Sequence, residues 1–336
     1  RGQLPEDLGE TLASVVRVPP QDWAACDHAA LAAPARLTRA DREGGLRVAT
    51  TPLIADPEEL DWRVVERRGR RFYRIGPLGL ERTRRRVHRV VQALDEDDAA
   101  IAVAPELCLS AALLEEWQDA LARRAGAATS RLRLVLVGTG NVDLAEPPSN
   151  TAVLLDAATG EVLARQRKLH PFNLGPSDLA LWGLEGRLPA PVDEDLSPGE
   201  RVLVLEAGGV RMAILVCEDL ARLAALAGPI CAHGVSLLLV PVFARPTKDR
   251  RWERARAESY SDTTGATVVV ANSLVMATLT GAPAPVGTAI AVGSGRAAVA
   301  GVPVPEGSAV FVVSGGAVEL IGSASPGRGA APPVAG

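Results

Sequence analysis

A chain of 336 residues with 47% apolar but only 3% aromatic residues can bury a large core built mainly from Val, Leu, Ala and Ile; its length suits about two domains or one large α/β domain. A net charge of −4 argues against a nucleic-acid-binding protein, and no apolar run approaches the roughly 20 residues of a membrane span. Four cysteines, Cys26, Cys108, Cys217 and Cys231, lack CxxC spacing, which argues against a disulfide scaffold or structural zinc and suits a reducing, cytoplasmic setting.

Residues 1–45 mix Pro, Ala and Arg with room for one short helix but no clear strand, and read as an N-terminal arm or linker. Leu46–Ile54 is the first expected strand. Residues 63–89 carry eleven arginines and end in a helix, Leu80–Asp97, with Val87, Val90, Val91 and Leu94 at helical spacing. The arginines read as a solvated helix face and loop in preference to an anion site. Strand Ala100–Pro105, helix Leu113–Arg124 and strand Leu132–Gly138 follow. A hairpin, Thr151–Asp156 and Glu161–Lys168, leads into a Pro- and Gly-rich loop over 171–200. A second hairpin, Arg201–Glu206 and Val210–Cys217, precedes helix Glu218–Ala227, strand Ser236–Val242, helix Arg250–Thr264 and strand Thr267–Asn272. Residues 286–322 read as short strands with Gly turns, and 323–336 as a flexible Pro/Gly/Ala tail. Helices and strands interrupted by hairpins imply an α/β protein with mixed sheets, and the β-rich end suggests a second sheet packed on the first.

The chain holds two lysines among thirty-four arginines. One of them, Lys168, lies in sequence between Glu106 and Cys217, and each of the three follows an apolar run, where an α/β sheet gathers its chemistry. A thiol needs a base or cation to become nucleophilic, a carboxylate can take its proton, and a compact ammonium can lower its pKa where a guanidinium fork would not fit. On that reading Cys217 alkylates ahead of the other thiols near neutral pH, and the backbone N–H of Glu218 is the oxyanion donor. Each residue alone has a plain structural explanation; the joint occurrence carries the signal. The four histidines, His28, His88, His170 and His233, read as structural. No metal-spaced cluster occurs, so no metal is expected. Gly138-Thr-Gly140 and Gly293-Ser-Gly295 read as strand-end glycines, since neither opens a helix.

Ala-Pro-Glu-Leu at 104–107, Arg-Lys-Leu-His at 167–170 and Leu-Val-Cys-Glu-Asp at 215–219 resemble the three signatures of the nitrilase, or carbon–nitrogen hydrolase, superfamily. Arg-Ala-Glu-Ser-Tyr at 256–260 and Val-Val-Val-Ala-Asn at 268–272 extend the resemblance, which covers residues 46–322 as one domain. It implies a four-layer αββα sandwich, usually a homodimer, with Glu106 as general base, Lys168 as stabiliser of the intermediate and Cys217 as nucleophile. The implied activity is cofactor-free hydrolysis of a small amide, nitrile or N-carbamoyl compound through a thioester-type intermediate. A catalytically silent binding protein and an N-acyltransferase are the alternatives.

The chain departs from the family pattern in several places. Thr50-Thr51-Pro52 stands where a glutamine is common, residues 60–78 look inserted, and the 49-residue step from Lys168 to Cys217 is long. A second glutamate after the lysine has no clean equivalent. Asp178 and Glu185 are the candidates for it, and with Phe243 they are the expected substrate-binding residues, in or beside the specificity loops 171–200 and 243–250.

Overall fold

The computed structural model describes residues 20–32, 35–124, 130–141, 146–186, 188–246, 252–282 and 287–324. Two mixed sheets of seven strands each face one another. The first runs in the order Ala317–Ala324, Ser308–Ser314, Leu46–Thr50, Ile101–Val103, Leu134–Gly140, Thr151–Asp156, Val162–Arg167, with the third, fourth and fifth of these parallel. The second runs Cys26–Ala30, Val202–Ala207, Val210–Ile214, Leu237–Val242, Thr267–Asn272, Gly287–Gly293, Arg296–Gly301, again with a parallel centre.

Side-chain alternation explains the layering. Successive residues of a strand point to opposite faces, so in Ile101–Val103 the outer two residues enter the core between the sheets while Ala102 enters the core under the helices. Leu134 and Leu136 divide from Val135 and Val137 in the same way. The strands are apolar on both faces because both faces are covered. Helices Glu81–Glu96 and Ala111–Arg124 cover the first sheet with Val87, Val90, Val91, Leu94, Leu113, Trp117 and Leu121. Helices Leu223–Ala232 and Trp252–Thr264 cover the second with Leu226, Ile230, Ala257 and Tyr260. The result is the expected helix–sheet–sheet–helix sandwich.

Several sequence expectations are corrected. The segment read as strandless contributes Cys26–Ala30, the parallel edge strand of the second sheet; residues 1–19 lie outside the described residues, as do 325–336 of the tail and 247–251 of the loop before Trp252. The β-rich end does not form a sheet of its own. Gly287–Gly293 and Arg296–Gly301 extend the second sheet, and Ser308–Ser314 and Ala317–Ala324 extend the first, so the chain ends by adding an antiparallel pair to each. The helix expected over 218–227 is broken at Arg222 into Glu218–Ala221 and Leu223–Ala232. Residues 60–77 form an antiparallel hairpin, Leu60–Arg67 with Arg70–Pro77. Within 171–200 lie a short helix, Pro176–Leu181, and a two-residue antiparallel pairing of Asn173–Leu174 with Val192–Asp193. Hairpin and loop share a small core of Tyr73, Leu174, Leu179, Leu184, Leu188 and Val192. No described helix is long and apolar enough to cross a membrane.

Candidate active site

Glu106, Lys168 and Cys217 converge at one end of the sandwich, on a cavity of about 530 Å³ that all three line. Glu106 follows strand Ile101–Val103 on a turn that crosses between the sheets, its N–H donating to the Val242 carbonyl at 3.3 Å. That turn lies directly on Gly138 and Gly140: a Cβ at Gly138 would sit 2.1 Å from the Pro105 oxygen and one at Gly140 1.6 Å from the Leu109 oxygen. The two glycines of Gly138-Thr-Gly140 are therefore required by close backbone approach. Lys168 ends strand Val162–Arg167, anchored by its N–H to the Asn150 carbonyl at 2.7 Å. Cys217 sits between strand Val210–Ile214 and helix Glu218–Ala221 with φ +45°, a backbone strain of roughly 1–3 kcal/mol for a non-glycine residue. Its N–H donates to Pro241 O at 3.0 Å, which helps hold the turn.

Asp219 joins two of the three segments. Its fully buried carboxylate accepts from Val216 N at 3.1 Å beside the cysteine, and from Leu169 N at 3.2 Å, His170 N at 3.0 Å and His170 Nδ1 at 2.9 Å beside the lysine. The Cys217 turn and the Lys168 strand end are thereby locked in register. His170 acts on this carboxylate and not on the thiol.

Lys168 Nζ donates to Glu106 Oε1 at 2.8 Å and to Glu194 Oε2 at 2.7 Å. Asn150 Nδ2 donates to both carboxylates, at 3.0 Å to Glu106 and 3.2 Å to Glu194. Glu194 is the second carboxylate on the lysine, and sequence reasoning missed it. Asp178 lines the cavity but caps the short helix through Gly175 N at 3.2 Å and faces Arg245 at 3.8 Å. Glu185 is exposed and is not among the cavity-lining residues. Glu194 is held by Phe172 N, 3.1 Å from Oε2, and by pairing with Tyr73 of the inserted hairpin. The only hint of it in the sequence is the acidic triplet Asp193-Glu194-Asp195 within the loop. Phe243 and Glu218 line the cavity.

Two carboxylates against one ammonium leave an excess of buried negative charge, and the site's proton affinities follow. Burial raises the Glu106 pKa, and Glu194 raises it further against the opposing pull of Lys168. Burial alone would lower the Lys168 pKa, but Glu106 and Glu194 outweigh it and hold the ammonium charged. Burial and the Glu106 carboxylate push the Cys217 thiol well above its usual range, although Lys168 and the Phe243 N–H oppose this. The expected low-pKa thiolate is thus corrected: the resting thiol is protonated and hydrogen-bonded to Glu106. Cys231 is exposed while Cys26, Cys108 and Cys217 are buried, so exposure does not single out Cys217 for alkylation.

No protein-family profile matches the chain, and no curated protein sequence matches it. Solved structures do. A glutamine-dependent NAD+ synthetase from Acinetobacter baumannii is similar over 84% of this chain at 17% identity with a TM-score of 0.50, the match spanning about half (48%) of the synthetase. A mutant of the Nesterenkonia AN1 amidase from the nitrilase superfamily is similar over 76% of this chain and 87% of its own at 21% identity, with a TM-score of 0.49. A second structure of that organism's amidase covers 80% and 92% at 21% identity and 0.48. At such identities the likeness concerns the fold. With its paired seven-stranded sheets and flanking helices, the chain shares the helix–sheet–sheet–helix fold of the matched part of the Acinetobacter synthetase.

Proposed function

We propose that the protein hydrolyses a carboxamide C–N bond through a covalent thioester on Cys217. One arrangement carries the reading: the Cys217 thiol is hydrogen-bonded to the buried Glu106, whose carboxylate is itself pinned by Lys168 at 2.8 Å. Glu106, its pKa raised toward the working range, takes the thiol proton as sulfur attacks the amide carbon. Lys168 and the backbone N–H groups of Glu218 and Phe243 offset the negative charge that develops on the carbonyl oxygen. The proton on Glu106 passes to the departing nitrogen, and the C–N bond breaks to leave the thioester. Glu106 then deprotonates a water that attacks the thioester, and the proton returns to sulfur as the acid leaves. Glu194 keeps the ammonium aimed at Glu106. This chemistry needs no cofactor, and it is compatible with the homodimer that the family resemblance implies.

Ammonia release from primary amides, with the acyl-enzyme trapped by mass spectrometry on the Cys217 peptide, tests the proposal. Wild type should form the adduct and release ammonia, and Glu106→Gln should do neither. Iodoacetamide offers a second check, because its carboxamide fits the same site: alkylation at Cys217 should slow in Glu106→Gln while that at Cys231 is unchanged. Amide binding with neither adduct nor ammonia release would indicate a binding protein. Transfer of the acyl group to an added amine in preference to water would indicate an acyltransferase.

A further inference from the structure

The chain has eleven aromatic residues, five Trp, two Tyr and four Phe. Six of them, Trp62, Tyr73, Phe172, Trp182, Phe243 and Trp252, line the cavity that holds Cys217. The two main cores hold only Trp117, Tyr260 and Phe311 among their buried residues, whereas Tyr73, Trp62, Phe172 and Trp182 form or pack on the small core of hairpin and loop, so the aromatics are concentrated beside the cavity. Trp62 and Trp182 lie with ring centroids 4.3 Å apart, and Trp182 stacks on Phe243 at 5.4 Å with an interplanar angle of 23°. All three rings are only partly buried. They form a continuous aromatic wall with a face left open to the cavity. The cavity, about 530 Å³, falls in the range of roughly 300–1,000 Å³ typical of pockets for sizeable ligands and far exceeds the space an acetyl group fills.

We infer that this pocket selects amides whose acyl group carries a flat aromatic ring, laid against the Trp62–Trp182–Phe243 wall. The inference rests on the amidase reading for its chemistry and goes beyond it in naming the substrate class. The acyl side is assigned by position: Phe243 donates its backbone N–H to the Cys217 sulfur while its ring stacks on Trp182. The substituent on a carbonyl carbon bonded to that sulfur therefore starts beside Phe243 and runs along the stack. The stack is closed at 5.4 Å, so the substrate ring lies on the wall and does not intercalate into it. Aromatic pairs prefer such offset or edge-on contacts and gain from them beyond the area they bury.

Calorimetric binding to the Cys217→Ala protein separates this selection from the chemistry. 3-Phenylpropanamide should bind at least about tenfold more tightly than propanamide, from apolar area alone. It should also bind about threefold more tightly than 3-cyclohexylpropanamide, which matches its bulk without its flat π face. Trp182→Leu should abolish the phenyl-over-cyclohexyl margin and Trp182→Phe should keep it; if Trp182→Leu fails to fold by circular dichroism, Phe243→Leu takes its place. Equal binding of the phenyl and cyclohexyl compounds, or a phenyl preference that survives loss of the aromatic ring, overturns the inference. If wild type releases no ammonia from any amide while the phenyl preference and its loss are both observed, the amidase reading falls and the selectivity stands. If wild type turns over propanamide and no phenyl margin appears in binding, the selectivity falls and the amidase reading stands.

Discussion

The sandwich and the pocket wall are built by different means. Glu106, Lys168 and Cys217 stand at the ends of strands whose partners are set by backbone ladders and whose side chains are shared between two large cores. The wall, hairpin 60–77 with segment 172–195, has the hairpin's own two-stranded ladder but only one small core, and segment 172–195 adds just two two-residue strands. It is tied down by charge: Asp195 receives Arg67 at 2.8 Å, Arg74 also pairs with it, and both arginines reach Glu146. Arg67 and Arg74 are thus structural cross-links and not part of a solvated patch. A two-stranded hairpin and loop held by few apolar contacts open at lower free energy than seven-stranded sheets packed on two large cores. The three groups proposed to react sit on the rigid part, and the second glutamate and most of the aromatic surface on the part that can change.

The sharpest test of that division is Lys168, the ammonium that spans it. Lys168→Arg is expected to remove turnover nearly as fully as Lys168→Ala, because a planar fork cannot fill a gap with carboxylates at 2.8 and 2.7 Å. Lys168→Ala should also lose about 3–5 kcal/mol in urea unfolding, since it leaves two buried carboxylates without their cation. An arginine variant that kept most of the activity would break the comparison at its centre.

Glu194→Gln probes the wall's contribution to the chemistry. It removes one charge-assisted hydrogen bond to the lysine, worth roughly a tenfold to hundredfold loss in kcat/KM. A merely structural glutamate would not move the acid limb of the pH profile, whereas this one should. Glu106 has a raised pKa, so wild-type activity should fall with acidification at a pH where an ordinary glutamate is still ionised. Because Glu194 is one of the groups raising it, the variant's limb should move to lower pH. An unmoved limb would assign Glu194 to packing alone.

Asp195→Asn should loosen the wall and leave the sandwich intact. The buried carboxylate loses two arginine partners, with an expected effect of about 1–3 kcal/mol. Limited proteolysis should accelerate within 60–77, KM should rise more than kcat falls, and hydrogen exchange in strands 134–140 and 237–242 should stay slow. Equal acceleration throughout would show that the two regions unfold as one.

The smallest effect is expected at the far edge of the second sheet. His28 Nε2 lies 3.0 Å from His233 Nδ1, and His233 Nε2 donates to the Asp22 carbonyl at 3.2 Å, so His233 Nδ1 accepts from His28. Partial burial and His233 lower the His28 pKa, against Asp27 and with Arg211. A folded-state value below the unfolded one means that protons favour the unfolded form. The contribution is present above about pH 6.5 and is lost as pH falls from there through the folded value. Hydrogen-exchange protection factors of residues 20–30 should fall over that range in wild type and change less in His28→Gln.

Much of the sandwich was legible because its strands obey local rules. Thr267–Asn272 and Thr151–Asp156 occur at the boundaries their apolar runs indicate, and helix Glu81–Glu96 follows its valine stripe to within a residue at each end. The sequence also singled out Glu106, Lys168 and Cys217, since a rare lysine and a strand-end cysteine and glutamate stand out against this composition. What it could not show were partners distant in the chain. Cys26–Ala30 becomes a strand only because Val202–Ala207 offers it an edge. Glu194, one acid among the three at 193–195, becomes the lysine's second partner only because Tyr73 and Phe172 fix its backbone. The thiol's protonation was likewise decided by tertiary structure: sequence supplied a cation beside a cysteine, whereas burial and the excess of carboxylate over ammonium set the sign of the shift.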